Sequence, residues 1–281
     1  MSQLLRSPEM PVVSVIVPAF NEAARIAEPL RRIDAYLAAQ AYPSEIVVVD
    51  DGSTDDTQAA VVQLIAALQT PVRLYRYAAN RGKGHALKVG FAEAAGQLLL
   101  FTDADLSTPI EEAGRLLAPL QEGFDIAIGS RRIAGAQVVV HQPWYRQQLG
   151  AVFTRLVRLL IAPVSDATCG FKAFTRRAGK DIFGRVRRAD WSFDAEVLFL
   201  ATRLGYRVQQ VPVRWADQAG TKVRLGRDAL RSLVGLFAIR ANAVLGRYEH
   251  PAGVTRLAAW TASDTVNARV DSAKPQAVLS E

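Results

Sequence analysis

The chain has 281 residues, of which 50% are hydrophobic and 22% are charged, a composition typical of a globular protein that buries a sizeable core. Its net charge of +7 and isoelectric point near 9.8 favour anionic partners such as nucleotide diphosphates, lipid phosphates or an acidic membrane surface. The single cysteine, Cys169, excludes an internal disulfide and a multi-cysteine metal site. Nucleic acid is not an expected partner, because no recognised binding module accompanies the positive charge.

The hydropathy of the chain predicts its location. No charged-then-apolar leader opens the sequence, and no apolar run approaches the roughly 18 residues that indicate a membrane span. We therefore expect a cytoplasmic protein, or one that contacts a membrane from its cytoplasmic face, and not a secreted one. Residues 1–11 are expected to form a flexible arm. Residues 249–281, rich in alanine, serine, threonine, aspartate and lysine, are expected to form a disordered tail.

The first half of the chain alternates predicted strands with predicted helices. Short apolar runs, each ended by turn residues, predict five strands: Val12–Pro18, Glu45–Asp50, Val72–Tyr77, Leu98–Asp103 and Asp125–Gly129. The segments between them have the spacing of helices. This alternation predicts an α/β protein with a doubly wound, mostly parallel sheet, because parallel strands are usually joined by helical crossovers.

After Gly129 the pattern changes, and two amphipathic helices stand out. Tyr145–Ile161 and Arg227–Leu245 each place apolar side chains on one face, with arginines beside it. Such a helix can pack against the protein's own core or lie in the interface of a membrane, and the sequence leaves both interpretations open. A further helix is predicted to begin near Trp191, and an edge strand is predicted over Tyr206–Trp215.

Two carboxylates, Asp103 and Asp105, come at the end of the fourth predicted strand and just after it. Ligands of open α/β sheets bind at the carboxyl ends of the strands, so both acids are candidates for a ligand site. Two such carboxylates can share one hard divalent cation, which waters and substrate phosphates then complete. Alternatively, Asp105 caps the following helix, or both acids are solvated.

Polar residues that follow the neighbouring strands are expected at the same edge of the sheet. Asp50 and Asp51 come at the end of the second strand, and Arg81 and Lys83 belong to a glycine-containing loop after the third. A carboxylate such as Asp50 can accept the imide N–H of a base such as uracil, and the loop supplies cations beside it. Taken separately, the acids are also consistent with a helix cap and turn, and the basic residues with a solvated loop.

Taken together, these segments resemble the inverting glycosyltransferases of family 2, which have the GT-A fold. The resemblance runs from about Val12 to Tyr248 and rests first on VSVIVPAFNE, EIVVVDDGSTD, NRGKGHALKVG and LLLFTDADLSTP. Later segments are similar to the dolichyl- and polyprenyl-phosphate sugar transferases: GSRR, DATCGFKAF, WSFDAE and the AGTKV segment before the last helix. The dolichyl-phosphate β-glucosyltransferase group is the most similar, with the mannose synthases as near relatives.

The resemblance implies a domain division and an activity. Residues 12–248 would form one GT-A domain with a Rossmann-like nucleotide-sugar half (12–130), an acceptor half (131–226) and a C-terminal amphipathic helix (227–248). The implied reaction is transfer of glucose from UDP-glucose, with inversion, to dolichyl or polyprenyl phosphate, with Mg²⁺ or Mn²⁺ as cofactor. The alternatives are mannosyl transfer from GDP-mannose, transfer to a soluble or saccharide hydroxyl, and non-catalytic binding of a nucleotide sugar.

The resemblance also implies roles for individual residues. The nucleotide would contact Pro18, Ala19, Glu22, Asp50, Asp51, Arg81 and Lys83; Asp103 and Asp105 would hold the metal; and the acceptor phosphate would meet Arg131, Arg132 and Lys222. A phosphate acceptor needs cations rather than a base, since its second pKa is about 6 and it is already anionic at neutral pH. A hydroxyl acceptor would need a base, for which Asp194 is the candidate. Glu196 would hold sugar hydroxyls or a basic side chain.

Two further expectations concern the surface and the core. An acceptor with an isoprenoid tail must be met at a bilayer, so we expect peripheral membrane contact through Tyr145–Ile161 and Arg227–Leu245. Trp191 is expected to fill the core rather than to stack on the sugar.

Overall fold

The computed structural model describes residues 10–141, 143–218 and 225–249. Its strands are β1 (Val13–Ala19), β2 (Ser44–Asp50), β3 (Val72–Arg76), β4 (Leu98–Thr102), β5 (Ile126–Ser130), β6 (Gln137–Val140), β7 (Phe171–Thr175), β8 (Val208–Pro212) and β9 (Arg214–Ala216). Its helices are α1 (Ala27–Ala38), α2 (Thr57–Ile65), α3 (Lys83–Glu93), α4 (Ala113–Gln121), α5 (Trp144–Leu160), α6 (Arg176–Arg185), α7 (Phe193–Arg203) and α8 (Leu225–Val244). All five strands predicted in the first half are present, each within one residue of its predicted bounds.

Seven strands form one mixed sheet in the order β3-β2-β1-β4-β7-β5-β8, and β6 pairs with β9 in a small second sheet. Neighbours in the large sheet are parallel except at β7, which runs antiparallel between β4 and β5. Helices cover both faces of this sheet. The predicted doubly wound, mostly parallel α/β sheet is therefore confirmed.

Alternate side chains of the central strands build a separate core on each face of the sheet. On β2, Val47 and Val49 join a cluster with residues of α3, α6 and α7. Ile46 and Val48 join the opposite cluster with residues of α1, α2 and α4. All four side chains are fully buried, which is the state expected of a strand with helices on both faces. The continuous apolar runs of the sequence follow from this double burial.

The antiparallel strand β7 brings the later part of the chain back into the sheet. Its register pairs Phe171 with Thr102, so the turn before β7 lies against the residue that follows β4. A Cβ atom on Gly170 would lie 2.0 Å from Oδ2 of Asp103, so a side chain at this position would displace the Asp103 carboxylate. Strands from before and after residue 130 thus share one sheet, and the division into two halves at that residue stays a prediction.

Three other expectations concern segments at the edges of the molecule. The predicted edge strand Tyr206–Trp215 divides into β8, at the edge of the large sheet, and β9. The arm predicted for residues 1–11 and the tail predicted for residues 249–281 lie outside the described residues, apart from 10, 11 and 249. Within the described ranges, no helix combines the length and the apolar character needed to cross a bilayer.

Candidate active site

A cavity of about 640 Å³ opens at the carboxyl ends of β1, β2, β4 and β5. Nine predicted site residues line it: Pro18, Ala19, Glu22, Asp51, Arg81, Lys83, Asp103, Asp105 and Arg131. They come from five separate segments of the sequence. The sheet brings these segments together because the carboxyl ends of its parallel strands share one edge.

The two acids after β4 line the cavity together, with Lys83 beside them. The Lys83 ammonium contacts the carboxylate of Asp103, and the backbone N–H of Ser107 donates to Oδ1 of Asp105 at 2.9 Å. Burial raises the pKa of Asp105, and the negative charge of Asp103 raises it further. A cation held between the two carboxylates would relieve this repulsion.

This acid pair fits a divalent cation such as Mg²⁺ or Mn²⁺. Mg²⁺ is usually bound by one or two carboxylates, and waters and substrate phosphates fill its other positions. In the part of the chain that the structure describes, no group of three His, Cys, Asp or Glu side chains is arranged to hold a metal ion. The residues that would hold such an ion are therefore Asp103 and Asp105, with the remaining positions left to water and ligand.

The structure separates the two acids at the end of β2. Asp50 is fully buried, where its Oδ1 accepts the N–H of Ser53 at 2.9 Å and Nε of Arg76 lies 3.3 Å from its Oδ2. Asp51 lines the cavity and accepts the backbone N–H of Arg81 at 2.8 Å. The predicted contact between Asp50 and a base is therefore not supported, because Asp51 is the acid that reaches the cavity.

Of the three residues predicted to meet an acceptor phosphate, only Arg131 is brought to the cavity in the described ranges. Its Nε and Nη2 donate to the buried carboxylate of Asp166 at 2.7 and 2.8 Å, and its guanidinium lies 5.1 Å from the ring centroid of Trp215. Burial lowers the pKa of Arg131, but the charge and hydrogen bonds of Asp166, together with the nearby Cys169 and Asp103, raise it by more. Arg132 is exposed outside the cavity lining, and Lys222 lies outside the described residues.

The two acids of α7 are buried and do not line the cavity. Asp194 accepts a hydrogen bond from the fully buried Lys172 ammonium at 2.5 Å. Glu196 accepts hydrogen bonds from the backbone N–H groups of residues 187 and 188 and from the hydroxyl of Tyr248. Both carboxylates are thus occupied by protein groups and neither lines the cavity. The roles of Asp194 as a base and of Glu196 in holding sugar hydroxyls or a basic side chain stay predictions.

Several residues that line the cavity were not predicted to do so. Trp191 was expected in the core; it is instead 37% exposed and lines the cavity, with its ring centroid 5.6 Å from Nζ of Lys83. Arg25 could have been found from the sequence, because it follows the predicted site residue Glu22 by three residues; in the structure it donates to Glu22 at 2.9 Å. Arg231 carries no such signal, since only the packing of α8 brings it to the cavity. The other unpredicted polar or aromatic lining residues are Asn80, Asp190, Trp215 and Asp217.

Comparison with known proteins shows the family of this chain. Residues 14–183 match the family described as Glycosyl transferase family 2. The chain is 32% identical over 255 residues to the dolichyl-phosphate beta-glucosyltransferase of Saccharomyces cerevisiae, which covers 84% of this chain and 76% of that protein. It is 34% identical over 251 residues to the Drosophila melanogaster protein of the same name, covering 81% and 77%. The chain therefore belongs to glycosyl transferase family 2, as its motifs predict.

Solved structures agree on the fold. Glucosyl-3-phosphoglycerate synthase from Mycobacterium tuberculosis, crystallised with Mn²⁺, UDP-glucose and phosphoglyceric acid, matches with a TM-score of 0.59 at 21% identity, over 82% of this chain and 80% of that one. The same enzyme in complex with UDP matches with a TM-score of 0.59 at 20% identity over the same shares. The predicted GT-A fold is thereby confirmed, and the family match and the curated relatives confirm the predicted glycosyltransferase class.

Proposed function

We propose that the protein transfers glucose from UDP-glucose to dolichyl or polyprenyl phosphate, with inversion at the anomeric carbon. The observation that carries this proposal is the cavity at which Asp51, Lys83, the Asp103–Asp105 pair and Arg131 converge. The relatives named dolichyl-phosphate beta-glucosyltransferase support the sugar and the acceptor. The fold neighbour crystallised with UDP-glucose and Mn²⁺ supports the donor and the metal.

The donor would lie along the carboxyl edge of the sheet. Its uridine would rest against the wall that includes Pro18, Ala19, Glu22, Asp51 and Arg81. Its diphosphate would meet Asp103 and Asp105, which would hold Mg²⁺ or Mn²⁺; the bound ion supplies positive charge that offsets the diphosphate. Lys83 adds a second cation beside these acids. Lys83 and the positive charge that the bound ion would supply would stabilise the negative charge that develops on UDP as it departs.

The acceptor phosphate would enter on the side of Arg131 and Arg231, both of which line the cavity. Arg131 shares its charge with Asp166, whereas Arg231 has no ion pair with another side chain in the described ranges. A phosphate oxygen would attack the anomeric carbon opposite UDP, forming the new C–O bond as the bond to the UDP oxygen breaks. No base is needed because the phosphate is already ionised, and this agrees with the position of Asp194 outside the cavity lining.

An apolar surface on α5 and α8 supports peripheral contact with a membrane. We call it the apolar surface and define it by its exposed residues: Trp144, Leu149 and Val152 on α5, with Val234, Phe237 and Val244 on α8. Trp144 is 75% exposed and Phe237 is 62% exposed, whereas Leu236 and Ile239 of α8 are fully buried in the core. Exposed apolar patches of this kind mark interaction sites. A bilayer is the partner proposed because α8 also carries Arg231, where the head group of a lipid acceptor would enter.

A donor panel tests the proposed reaction. UDP-glucose and GDP-mannose are each supplied with polyprenyl phosphate, with and without Mn²⁺ or Mg²⁺. We expect metal-dependent formation of glucosyl lipid from UDP-glucose, lowered more than about 100-fold by Asp105→Ala. The control Glu122→Ala removes an exposed acid at the end of α4 and keeps wild-type activity. Transfer only from GDP-mannose, or only to a soluble hydroxyl, would reject the proposal.

Flotation with anionic liposomes tests the membrane contact. The double variant Val234→Asp/Phe237→Asp places charge on the apolar surface, and Val62→Asp, at a position 39% exposed on α2, is the matched control. We expect the wild type and Val62→Asp to float with the vesicles and the double variant to stay in the soluble fraction. Failure of all three proteins to float would refute the contact.

A further inference from the structure

We propose that Glu196 and Tyr248 are positioning residues that hold one wall of the donor cavity, and that they connect this wall to the end of α8. The wall is formed by residues 187–191, which we call the wall loop. The proposal rests on the proposed function only for the identity of the donor nucleotide. Two segments that take no part in the proposed reaction, WSFDAE and the end of α8, would thus position the wall of the cavity.

The carboxylate of Glu196 is bound by protein groups and does not contact the cavity. The side chain is fully buried. Its Oε2 accepts the backbone N–H of Arg187 at 2.9 Å and that of Arg188 at 2.7 Å, and its Oε1 accepts the hydroxyl of Tyr248 at 2.5 Å. A carboxylate that receives two consecutive backbone N–H groups fixes the direction of that backbone. Glu196 therefore determines where the wall loop begins.

The wall loop is in direct contact with the loop that carries Lys83. The carbonyl of Ala189 accepts the N–H of Gly84 at 3.0 Å. A Cβ atom on Gly84 would lie 2.4 Å from the carbonyl oxygen of Arg188, so the two backbones touch without room for a side chain. Ala189 and Trp191 line the cavity, as Lys83 does. A displacement of the wall loop would therefore move both the wall and the loop that bears Lys83.

The other end of this connection is the turn that follows α8. Gly246 has a φ of 68°, which reverses the chain so that Tyr248 points back to Glu196. Nη1 of Arg185 donates to the carbonyl of Tyr248 at 2.9 Å, and Nε of Arg187 donates to the carbonyl of Arg247 at 3.0 Å. The turn after α8 is thus bound by Arg187 of the wall loop and by Arg185 at the end of α6, in addition to the hydrogen bond between Tyr248 and Glu196.

A second contact between α8 and the wall loop lies within the helix itself. A Cβ atom on Gly235 would lie 2.3 Å from Oγ of Ser192, the residue that follows the wall loop, and 3.6 Å from Nη2 of Arg188 in the wall loop. Ser192 also accepts a hydrogen bond from Nε of Arg188 at 3.0 Å. The helix that bears half of the apolar surface therefore touches the donor wall at two places, near its middle and beyond its end.

The positioning role of Glu196 and Tyr248 is tested by titration calorimetry, which measures the binding of UDP with Mn²⁺ to the full chain without any acceptor. Tyr248→Phe removes the hydroxyl that reaches Glu196. The matched control is Tyr206→Phe, because the Tyr206 hydroxyl likewise donates to a carboxylate, that of Asp181 at 2.9 Å, and does not line the cavity. We expect Tyr248→Phe to weaken UDP binding about 5-fold and Tyr206→Phe to leave it within about 1.5-fold of wild type.

Two replacements of Glu196 separate positioning from direct contact. In Glu196→Gln the amide oxygen can accept both backbone N–H groups while the amide nitrogen donates to Tyr248. We therefore expect UDP affinity within about 3-fold of wild type, against a loss of about 10-fold or more for Glu196→Ala. Equal losses for glutamine and alanine, or equal affinities for Tyr248→Phe and Tyr206→Phe, would overturn the proposal. If Glu196→Ala does not fold, the two tyrosine variants decide. A wild type that does not bind UDP would instead count against the proposed donor.

Discussion

Two acid pairs with the same spacing, Asp103–Asp105 and Asp194–Glu196, lie in opposite environments. The first pair begins directly after β4 and lines the cavity, where its members repel each other and Asp105 has a raised pKa. The second pair lies in the first turn of α7, is buried, and is occupied by Lys172 and by the wall loop with Tyr248. The spacing of acids along a chain therefore does not decide their role.

The difference follows from the elements that carry the two pairs. Residues after a strand of an α/β sheet leave the core at the edge where ligands bind, so their charges meet solvent and substrate. The first turn of α7 is packed into the core instead. There, each carboxylate needs protein donors because an unpaired buried charge is costly. The first pair is thus available for a cation, and the second holds the surrounding structure in place.

The largest effect that distinguishes the pairs is expected from Asp194→Ala. It leaves the Lys172 ammonium buried with the carbonyl of Cys169, at 2.6 Å, as its remaining hydrogen-bond acceptor. Breaking a buried ion pair in this way is expected to lower the free energy of unfolding by about 3–5 kcal/mol, measured by urea denaturation. Asp105→Ala is the counterpart: it relieves repulsion, so stability should hold while transfer is lost. Wild-type stability with lost transfer in Asp194→Ala would show that Asp194 acts in the reaction.

A smaller effect is expected from Gly170→Ala, which displaces the carboxylate of Asp103 without changing its chemistry. The new Cβ would occupy the place of Oδ2 of Asp103, so the carboxylate must turn away. We expect metal-dependent transfer to fall about 10- to 100-fold, measured as initial rates. Gly114→Ala is the control, because its Cβ would come no closer than 3.6 Å to Oη of Tyr36. Equal rates for the two variants would contradict a tight fit of Asp103 against Gly170.

The smallest effect is a pH dependence of stability that comes from Asp166 beside the cavity. Burial raises its pKa, but the charge and hydrogen bonds of Arg131 lower it by more, to about 2 against an ordinary 3.8. Since the folded-state pKa is the lower one, this stabilisation is present above pH 4 and is lost as the pH falls toward 2. Between pH 5 and pH 3 we expect about 1 kcal/mol less loss of stability in Asp166→Asn than in wild type, by urea unfolding. Identical pH dependence in the two proteins would contradict the lowered pKa.

Much of the nucleotide side of the molecule could be predicted from local pattern. Apolar runs on five strands and the turn residues after them were sufficient to place Asp103, Asp105 and Lys83 at one edge of a parallel sheet. The sequence could not separate the two acids predicted at the end of β2, of which Asp51 lines the cavity and Asp50 is fully buried. Which of two adjacent acids turns inward depends on partners such as Arg76, which belongs to another strand.

The amphipathic helices show a second limit of prediction from the sequence. Helical spacing predicted an apolar face on the last helix, which includes Val234, Phe237 and Val244, but it could not tell what that face meets. The structure leaves these three exposed and buries Leu236 and Ile239 instead. Periodicity reports which side chains share a face, whereas burial depends on the elements that pack against it.

The sequence by itself determined the sheet, the family and the acids at the end of β4, because these depend on short-range spacing and on strand ends that meet at one edge. Only the tertiary structure decided that Glu196 binds the backbone of the wall loop and that Arg231 reaches the cavity. Both depend on contacts between segments far apart in the chain, and the chemistry of a buried carboxylate or an exposed arginine is set by those contacts.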